Sequence, residues 1–479
     1  MTDRSRRFLF VAYCFGDWAG QALIGVYKRS LRIAMELSAR GHEVTVFCTG
    51  REAYRDELTS LAETRLRFVD FPFSVAAFDA AEEMRRVFLR EIARLQPDLV
   101  VIGEAPLAGA LLESTLCAVE LNIPVAFLDN AYNALSSENF CKVHGPMADG
   151  IVLAGPSSCH AADSPSYLCQ VPPYIDSAPE LARTMLTETL GLEGDRLLTV
   201  LGYDSKVEKL GISLLERLDA TDFEVLFLAR DPGQCEDRLS RLPPAKRPRA
   251  RVIAQPSDPI LFGLVELSRL AVVKYGYMQV SECLALRTPV IVVYHEGPQW
   301  LKHLPEVCRR FVHVTSSAQA DVATEAAFRR LWDLPAVHLA DIHTGPLQAT
   351  AMAAKFLERL SRVPPRNPWP ECVELGFREE HVVTSLRALH PGLTVTLRRL
   401  RSMRLRELPE SALSSLVCAY TVDGEPRCAR LWARIYQSSE AMDADLRAGE
   451  PRGRRVLYSA PASRLVVEAD VGQAMLPAL

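Results

Sequence analysis

The chain has 479 residues, a length that suits two or three domains better than one. Hydrophobic residues make up 48% of it, and the formal net charge of -4 gives no reason to expect nucleic acid or an anionic membrane as a partner. No stretch approaches the roughly 20 apolar residues of a membrane span. The apolar run Phe8–Cys14 is short for a signal-peptide core, and cysteines inside apolar segments, such as Cys117, are typical of reduced core residues. We therefore expect a cytoplasmic protein.

The first half of the chain alternates between apolar strands and amphipathic helices. Residues 8–14 predict a strand, residues 26–41 a helix that ends at Gly41, and residues 42–49 a second strand. The alternation continues with "AAEEMRRVFLREIARLQ", "PDLVVIG", "LAGALLESTLCAVELN" and "IPVAFLD". Strands that are apolar throughout and separated by helices predict a parallel sheet covered on both faces.

A Pro- and Ser-rich stretch without periodicity interrupts this pattern, and the alternation then resumes from "RLLTVLGY" onwards. We expect a first Rossmann-like domain over residues 1–155, a linker over 156–190 and a second Rossmann-like domain over 191–361. Two doubly wound domains in tandem leave a cleft at the carboxyl ends of their strands, where ligands bind in this class.

Beyond the proline-dense residues 362–371 the period changes to two, which is typical of antiparallel strands. We expect a small α+β appendage over residues 371–479, with a hairpin turn at Asp423-Gly424. The basic segment "RRLRSMRLR" (398–406) suits an edge strand protected by charge, or alternatively a docking site for an acidic partner.

The stretch "KYGYMQVSECLALRTPVIVVYHEGPQ" (274–299) carries the strongest functional pattern. A strand ends near Val273, and a helix begins near Gln279, so the first-turn N–H groups and Lys274 form a site for an anion. Gly276 allows close approach of the backbone, and Glu282 lies one turn into the helix, where it can accept hydrogen bonds from paired hydroxyls. Phosphate with vicinal hydroxyls describes a nucleoside diphosphate. An ordinary strand-to-helix turn with surface charges is the alternative.

This stretch resembles the donor-binding segment of GT-B glycosyltransferases, the MurG-like and UDP-glycosyltransferase group. Members have a basic residue two before a glycine and a glutamate six after it, which here are Lys274, Gly276 and Glu282. The resemblance implies that the loop and the helix start bind the donor diphosphate and that the glutamate binds a hydroxyl pair. Gln299 matches the family's donor glutamine, but Pro298 replaces the acidic residue before it, so His295 or Glu296 would substitute and the identity of the sugar is open.

The resemblance covers roughly residues 7–361. "LLTVLGYDSK" resembles the family's strand-glycine-serine segment, which implies that Gly202 and Ser205 lie near the diphosphate. "LQATAMAAKFLERL" (347–360) resembles the helix that returns to the acceptor domain. The resemblance also implies an inverting transfer without metal or other cofactor, because a helix terminus and Lys274 neutralise the leaving diphosphate.

The expected position of the catalytic base departs from the family's pattern. The family's histidine in the first glycine-rich loop is missing from "FGDWAGQALIGVYK", where Asp17 is the only ionisable residue before Lys28. We expect Asp17, or alternatively Glu104 after "LVVIG", to take the acceptor's proton. His42 suits a structural role. Cys141, His144, Cys159, His160 and Cys169 lack the spacing of a zinc site.

Taken with the resemblance, the sequence predicts an inverting, metal-independent glycosyltransferase that moves a sugar from a UDP- or dTDP-sugar to a small-molecule acceptor. Tailoring of a specialised metabolite, such as an antibiotic, is favoured over cell-wall synthesis. A GT-B auxiliary subunit that binds the sugar nucleotide without transfer and a nucleotide-sugar epimerase are the alternatives. A homodimer is left open.

Overall fold

The structure is a computed structural model. It describes residues 5–13, 24–49, 66–70, 81–103, 109–130, 147–155, 167–175, 177–192, 196–202, 205–218, 223–274, 276–294, 304, 306–334, 346–365, 378–408, 411–448, 454–460 and 464–470.

The first domain is built on a seven-stranded parallel sheet with the order β3-β2-β1-β4-β5-β6-β7. Its chain order reverses between β1 and β4, which makes this pair the switch point of the sheet. The strands are β1 (Arg7–Tyr13), β2 (Glu43–Thr49), β3 (Leu66–Asp70), β4 (Leu99–Ile102), β5 (Val125–Asn130), β6 (Gly150–Ala154) and β7 (Leu168–Val171).

Helices cover both faces of this sheet, as the uniformly apolar strands predict. Helix α1 (Ile24–Ala39) covers one face, and α2 (Ala81–Leu95) and α3 (Gly109–Glu120) cover the other. Phe8 and Phe10 of β1 share a buried cluster with α1, whereas Leu9 and Val11 share a second cluster with α2 and α3. This alternation follows from the two-residue period of a strand.

Strand β7 lies within residues 156–190, which the sequence analysis assigned to a linker. It pairs with β6 in parallel as the edge strand of the first sheet. Four residues between proline- and serine-rich segments carry too little periodicity to predict such a strand. The first sheet therefore extends beyond residue 155.

The second domain contains a six-stranded parallel sheet with the order β10-β9-β8-β11-β12-β13. Its switch point lies between β8 and β11. The strands are β8 (Leu197–Gly202), β9 (Glu224–Ala229), β10 (Ala250–Ala254), β11 (Leu270–Lys274), β12 (Val290–Val293) and β13 (Val312–Thr315).

The helices of this half begin with α4 (Pro179–Thr184), which continues as a π-helix over Met185–Leu190. A 3₁₀ turn spans Arg247–Arg249. The others are α5 (Ser205–Arg217), α6 (Pro232–Leu239), α7 (Asp258–Leu267), α8 (Tyr277–Ala285), α9 (Glu306–Arg309) and α10 (Val322–Trp332).

Helix α11 (Pro346–Leu360) packs on the first domain although it follows the second domain in sequence. Its buried residues Ala353, Phe356 and Leu357 belong to the same cluster as Phe8 and Phe10. The prediction from residues 347–360 that a closing helix returns to the first domain agrees with this packing.

The appendage is a five-stranded antiparallel sheet with the order β14-β15-β16-β18-β17, flanked by two helices. Asp423 and Gly424 have positive φ angles of 48° and 90°, as a tight turn between β15 and β16 requires. Its elements are α12 (Glu379–Leu389), β14 (Val395–Leu408), β15 (Ser411–Val422), β16 (Glu425–Tyr436), α13 (Ser439–Ala448), β17 (Arg454–Ala460) and β18 (Leu465–Asp470). The predicted fold class, two doubly wound domains and an α+β appendage, is confirmed.

A buried ion-pair network attaches the appendage to the first domain. Arg430 of β16 is 5% exposed, and its Nη1 donates to both carboxylate oxygens of Glu113 on α3, at 3.0 and 2.8 Å. Its Nε and Nη2 donate to Oε1 of Glu120, which also accepts from Arg85 of α2. Burial alone would lower the pKa of Arg430, but the charges of the two glutamates outweigh it and hold the pKa above its usual value.

No helix among the residues that the structure describes is both long enough and apolar enough to cross a bilayer.

Candidate functional site

The switch point of the second sheet brings two helix N-termini together. Strand β8 ends at Gly202 and is followed by α5, while its neighbour β11 ends at Lys274 and is followed by α8. Because β8 and β11 are adjacent and parallel, both helices begin at the same edge of the sheet. Open α/β sheets bind their ligands in the crevice at this place.

The first turn of α8 is open to an anionic ligand. Its N-cap residue, Gly276, supplies no side-chain hydrogen bond to the first-turn N–H groups, and no acidic residue lies in that turn. The half-buried Lys274 stands at the end of the preceding strand, and the half-buried Gln279 lies in the first turn. First-turn N–H groups without partners inside the helix, the helix dipole and a lysine together favour a phosphate group.

The backbone conformation at residue 276 does not require a glycine. Its φ of -178° is extended and open to any residue, and among the described residues a Cβ built there would meet Cβ of Gln279, at 4.0 Å. The described surroundings therefore have room for a Cβ, and its absence leaves space in front of the helix terminus.

Glu282 is a partly buried carboxyl group, one and a half turns further along α8. Loss of water around it raises its pKa from 4.5 to about 8, and the charge of Asp258 adds to this rise. The positive charges of Arg32 and Lys28 act in the opposite direction and lower the pKa. The protonated form is therefore favoured over a wider pH range than in water, and hydrogen bonds from a ligand to the carboxylate would favour the ionised form.

Two cations from the first domain reach this part of the second domain. Nζ of Lys28 lies 2.9 Å from Oδ1 of Asp258, and Nη2 of Arg32 lies 2.7 Å from Oδ2 of the same carboxylate. Both cations are on α1, and Asp258 is the first residue of α7. Sequence reasoning did not find these three residues, since partners 230 and 226 positions apart leave no local signal. The four-residue spacing of Lys28 and Arg32, which places them on one helix face, was the only available hint.

Gly202 and Ser205 both lie at this edge, as expected, and Ser205 is exposed. Gly202 also has a structural reason to be glycine. A Cβ there would meet Cγ of Glu208 at 2.9 Å, and Glu208 is buried and forms an ion pair with Arg238. The packing of Glu208 thus explains the glycine without a ligand.

Five of the expected site residues lie outside the described residues. These are Asp17, Glu104, His295, Glu296 and Gln299. Asp17 and Glu104 follow β1 and β4 in the sequence, and those strands are neighbours at the switch point of the first sheet. The roles of all five residues stay predictions.

Arg29 connects α1 to two neighbouring strands of the first sheet. The residue is 6% exposed, and its Nη2 donates to the carbonyl oxygens of Gly103, just after β4, at 2.6 Å and of Leu128, within β5, at 3.0 Å. Helix α1 is thereby attached to β4 and β5 on one side, while Lys28 and Arg32 contact the second domain.

His42 has the structural position that the sequence suggested. Its Nε2 lies 3.0 Å from Oε1 of Glu358 on α11, and its Nδ1 accepts from the backbone N–H of Arg6 at 3.2 Å. A cavity of about 420 Å³ opens beside it, lined among others by Arg7, Arg67 and Pro97. This cavity lies at the amino ends of β1–β3, the edge opposite to the one that binds ligands in this fold.

Within the part of the chain that the structure describes, no group of three or more His, Cys, Asp or Glu side chains could hold a metal ion. Of the five Cys and His residues considered for zinc, only Cys169 is described.

Comparison with known proteins gives a likeness in fold only. No family model matches the chain, and neither does any curated protein. Several solved structures do match in shape. The glycotransferase of kitacinnamycin superposes with a TM-score of 0.52 and 15% identity, over 75% of this chain and 100% of that one.

Two further solved structures carry nucleotide sugars. UGT89C1 of Arabidopsis thaliana, complexed with UDP-L-rhamnose, has a TM-score of 0.50 and 13% identity, over 75% of this chain and 99% of its own. UDP-GlcNAc 2-epimerase from Neisseria meningitidis, bound to UDP-GlcNAc, has a TM-score of 0.50 and 16% identity, over 74% of this chain and 100% of its own. At these identities the likeness establishes the fold, and the chain has the GT-B fold that the sequence analysis expected.

Proposed function

We propose that the protein is a glycosyltransferase that takes a sugar from a nucleoside-diphosphate sugar, UDP- or dTDP-linked, and moves it to a small-molecule acceptor. One observation carries the proposal: Lys274 ends β11 at the switch point of the second sheet, and the helix that follows, α8, starts without a side-chain cap and carries Glu282. Together they offer a positive site for a diphosphate and a carboxyl group for paired hydroxyls.

The charges at this edge support a reaction without a metal ion. A leaving diphosphate needs neutralisation in the transition state, and Lys274 with the α8 terminus supplies it here. Lys28 and Arg32 add positive charge from the first domain. Metal independence is thus the mechanism that these residues favour.

The proposed transfer is a single displacement at the anomeric carbon, with inversion. The acceptor oxygen or nitrogen attacks as the bond to the diphosphate breaks, and its proton passes to a base. Asp17 is the proposed base and Glu104 its rival, since both follow strands at the switch point of the first sheet. Gly202, Ser205, Gln279, His295, Glu296 and Gln299 complete the proposed donor site.

The likeness to a kitacinnamycin glycotransferase and to a protein complexed with UDP-L-rhamnose supports a UDP-sugar donor and a role in specialised metabolism, such as antibiotic biosynthesis. The likeness to the epimerase bound to UDP-GlcNAc has the same TM-score as the likeness to the rhamnose complex. Epimerisation of a nucleotide sugar is therefore the second candidate function. A cytoplasmic location belongs to the proposal in either case.

The test is turnover of UDP-glucose, UDP-GlcNAc and dTDP-glucose, with and without a panel of phenolic and amino acceptors, followed by proton NMR. Transfer predicts nucleoside-diphosphate release that needs an acceptor, and a β-linked product from an α-linked donor. Epimerisation predicts a changed donor without any acceptor. Absence of binding of all three donors at millimolar concentration would refute both candidates.

A further inference from the structure

One carboxylate of the second domain is held by two cations of the first. Asp258 uses a different oxygen for each, Oδ1 for Lys28 and Oδ2 for Arg32. The three side chains are 19%, 24% and 16% exposed, so the contact is largely shielded from water. A shielded pair is screened less by salt than a surface pair, and its loss has a larger effect.

Arg32 makes two further contacts that cross between elements. It donates through Nη1 to the carbonyl oxygen of Tyr174, in the segment that leads from the first sheet to the second domain. Its guanidinium group also lies over the ring of Phe262 on α7, 5.5 Å from the ring centroid. Arg32 therefore contacts the connecting segment and the second domain at once, from a helix of the first domain.

These contacts lie beside the start of α8. Met278, in its first turn, packs against the buried cluster of α1 and against the other large cluster, which contains residues of both domains. The charges of Arg32, Lys28 and Asp258 all act on Glu282.

We propose that Lys28, Arg32 and Asp258 form an interdomain clamp that holds α1 over the nucleotide-sugar site and positions Glu282 for the ligand's hydroxyl groups. This inference rests on the proposed function. Arg32 is a positioning residue in this scheme, because it acts through Asp258 and Glu282. Donor binding and the closed arrangement of the two domains then depend on each other.

Asp258→Asn and Arg32→Ala test the clamp, with UDP-GlcNAc and dTDP-glucose as probes in calorimetry. We expect each variant to bind the better probe on the order of 10-fold more weakly, within the usual range of coupling between linked sites. We expect the double variant Arg32→Ala/Asp258→Asn to lose less affinity than the sum of the two single losses, since the shared Arg32–Asp258 pair can be removed only once. Arg217→Ala, which breaks the Arg217–Glu325 pair inside the second domain, is the matched control and should leave affinity unchanged.

The pH dependence of donor affinity distinguishes an effect on the position and charge of Glu282 from a general loss of folded structure. Hydroxyl groups bind a carboxylate better than a carboxyl group, so affinity should rise with pH as Glu282 ionises. Removing the Asp258 charge should move this rise to lower pH, and removing the Arg32 charge should move it to higher pH. Shifts in the same direction in both variants would contradict the electrostatic part of the proposal.

Small-angle X-ray scattering tests the clamp in the absence of ligand, because it measures how far apart the two domains lie. Asp258→Asn and Arg32→Ala should increase the radius of gyration relative to the wild type and to Arg217→Ala. Unchanged dimensions together with affinities within twofold of the wild type would overturn the clamp. If the wild type binds neither probe, the proposed function is refuted, and with it the role of Glu282 in nucleotide binding. In that case, radii of gyration that are unchanged in both variants would be enough to overturn the clamp.

Discussion

Arg430→Met should destabilise the protein strongly, because it leaves a buried carboxylate without its partner. Glu113 and Glu120 are 5% and 8% exposed, and both accept hydrogen bonds from Arg430. Glu120 keeps Arg85 as a partner, at 2.9 Å, in the variant. Among the described residues Arg430 is the ion-pair partner recorded for Glu113, so one carboxylate of the two is stranded.

The expected loss in the free energy of unfolding is about 3–5 kcal/mol, the usual effect of breaking one side of a buried ion pair. That loss is about a fifth or more of the roughly 5–15 kcal/mol that stabilises a typical domain.

Urea denaturation followed by circular dichroism measures this loss. The double variant Arg430→Met/Glu113→Gln should recover most of the stability, because it removes the stranded charge. Arg217→Met is the control, since Arg217 is 48% exposed and its pair with Glu325 should contribute about 1 kcal/mol or less. A loss below about 1 kcal/mol in Arg430→Met, or no recovery in the double variant, would refute the view that this network attaches the appendage.

Four further predictions concern the site. Activity should survive EDTA, because Lys274 and the α8 terminus neutralise the diphosphate; loss with EDTA and rescue by magnesium or manganese would overturn this. Asp17→Asn should lower turnover by roughly 10²-fold or more, the range for a general base, with little change in nucleotide binding. If Asp17→Asn keeps near-normal turnover and Glu104→Gln loses its turnover, Glu104 is the base instead. Glu282→Ala should weaken UDP-sugar binding by roughly 1.5–3 kcal/mol, and unchanged calorimetric affinity would place the hydroxyls elsewhere. Burial raises the pKa of Glu282 in the folded protein from 4.5 to about 8. The free energy of unfolding of the wild type should therefore fall, relative to that of Glu282→Gln, as the pH rises from 4.5 to about 8. A difference in unfolding free energy that stays constant over this pH range would contradict the shift.

The sequence predicted those parts of the fold that depend on local pattern. The strand before Lys274, the helix that carries Glu282 and the hairpin at Asp423-Gly424 all follow from periodicity and turn chemistry over a few residues. The returning helix at residues 346–360 was found through resemblance, and its alanines fit against the first sheet.

The parts that sequence did not predict depend on partners far apart in the chain. Lys28 and Asp258 are 230 positions apart, and Arg430 and Glu113 are 317 apart. Each residue is an ordinary surface charge in its own helix or strand, and only the packing of whole domains buries it. Strand β7 was missed for a related reason, because four residues pair as an edge strand only when the other six strands are in place.

A crystal structure with UDP or dTDP soaked into the protein tests the central claim most directly. The account predicts the diphosphate within hydrogen-bond distance of Lys274 and the first-turn N–H groups of α8, with ribose hydroxyls on Glu282. A nucleotide bound away from the switch point between β8 and β11, or one whose hydroxyls do not reach Glu282, would contradict it.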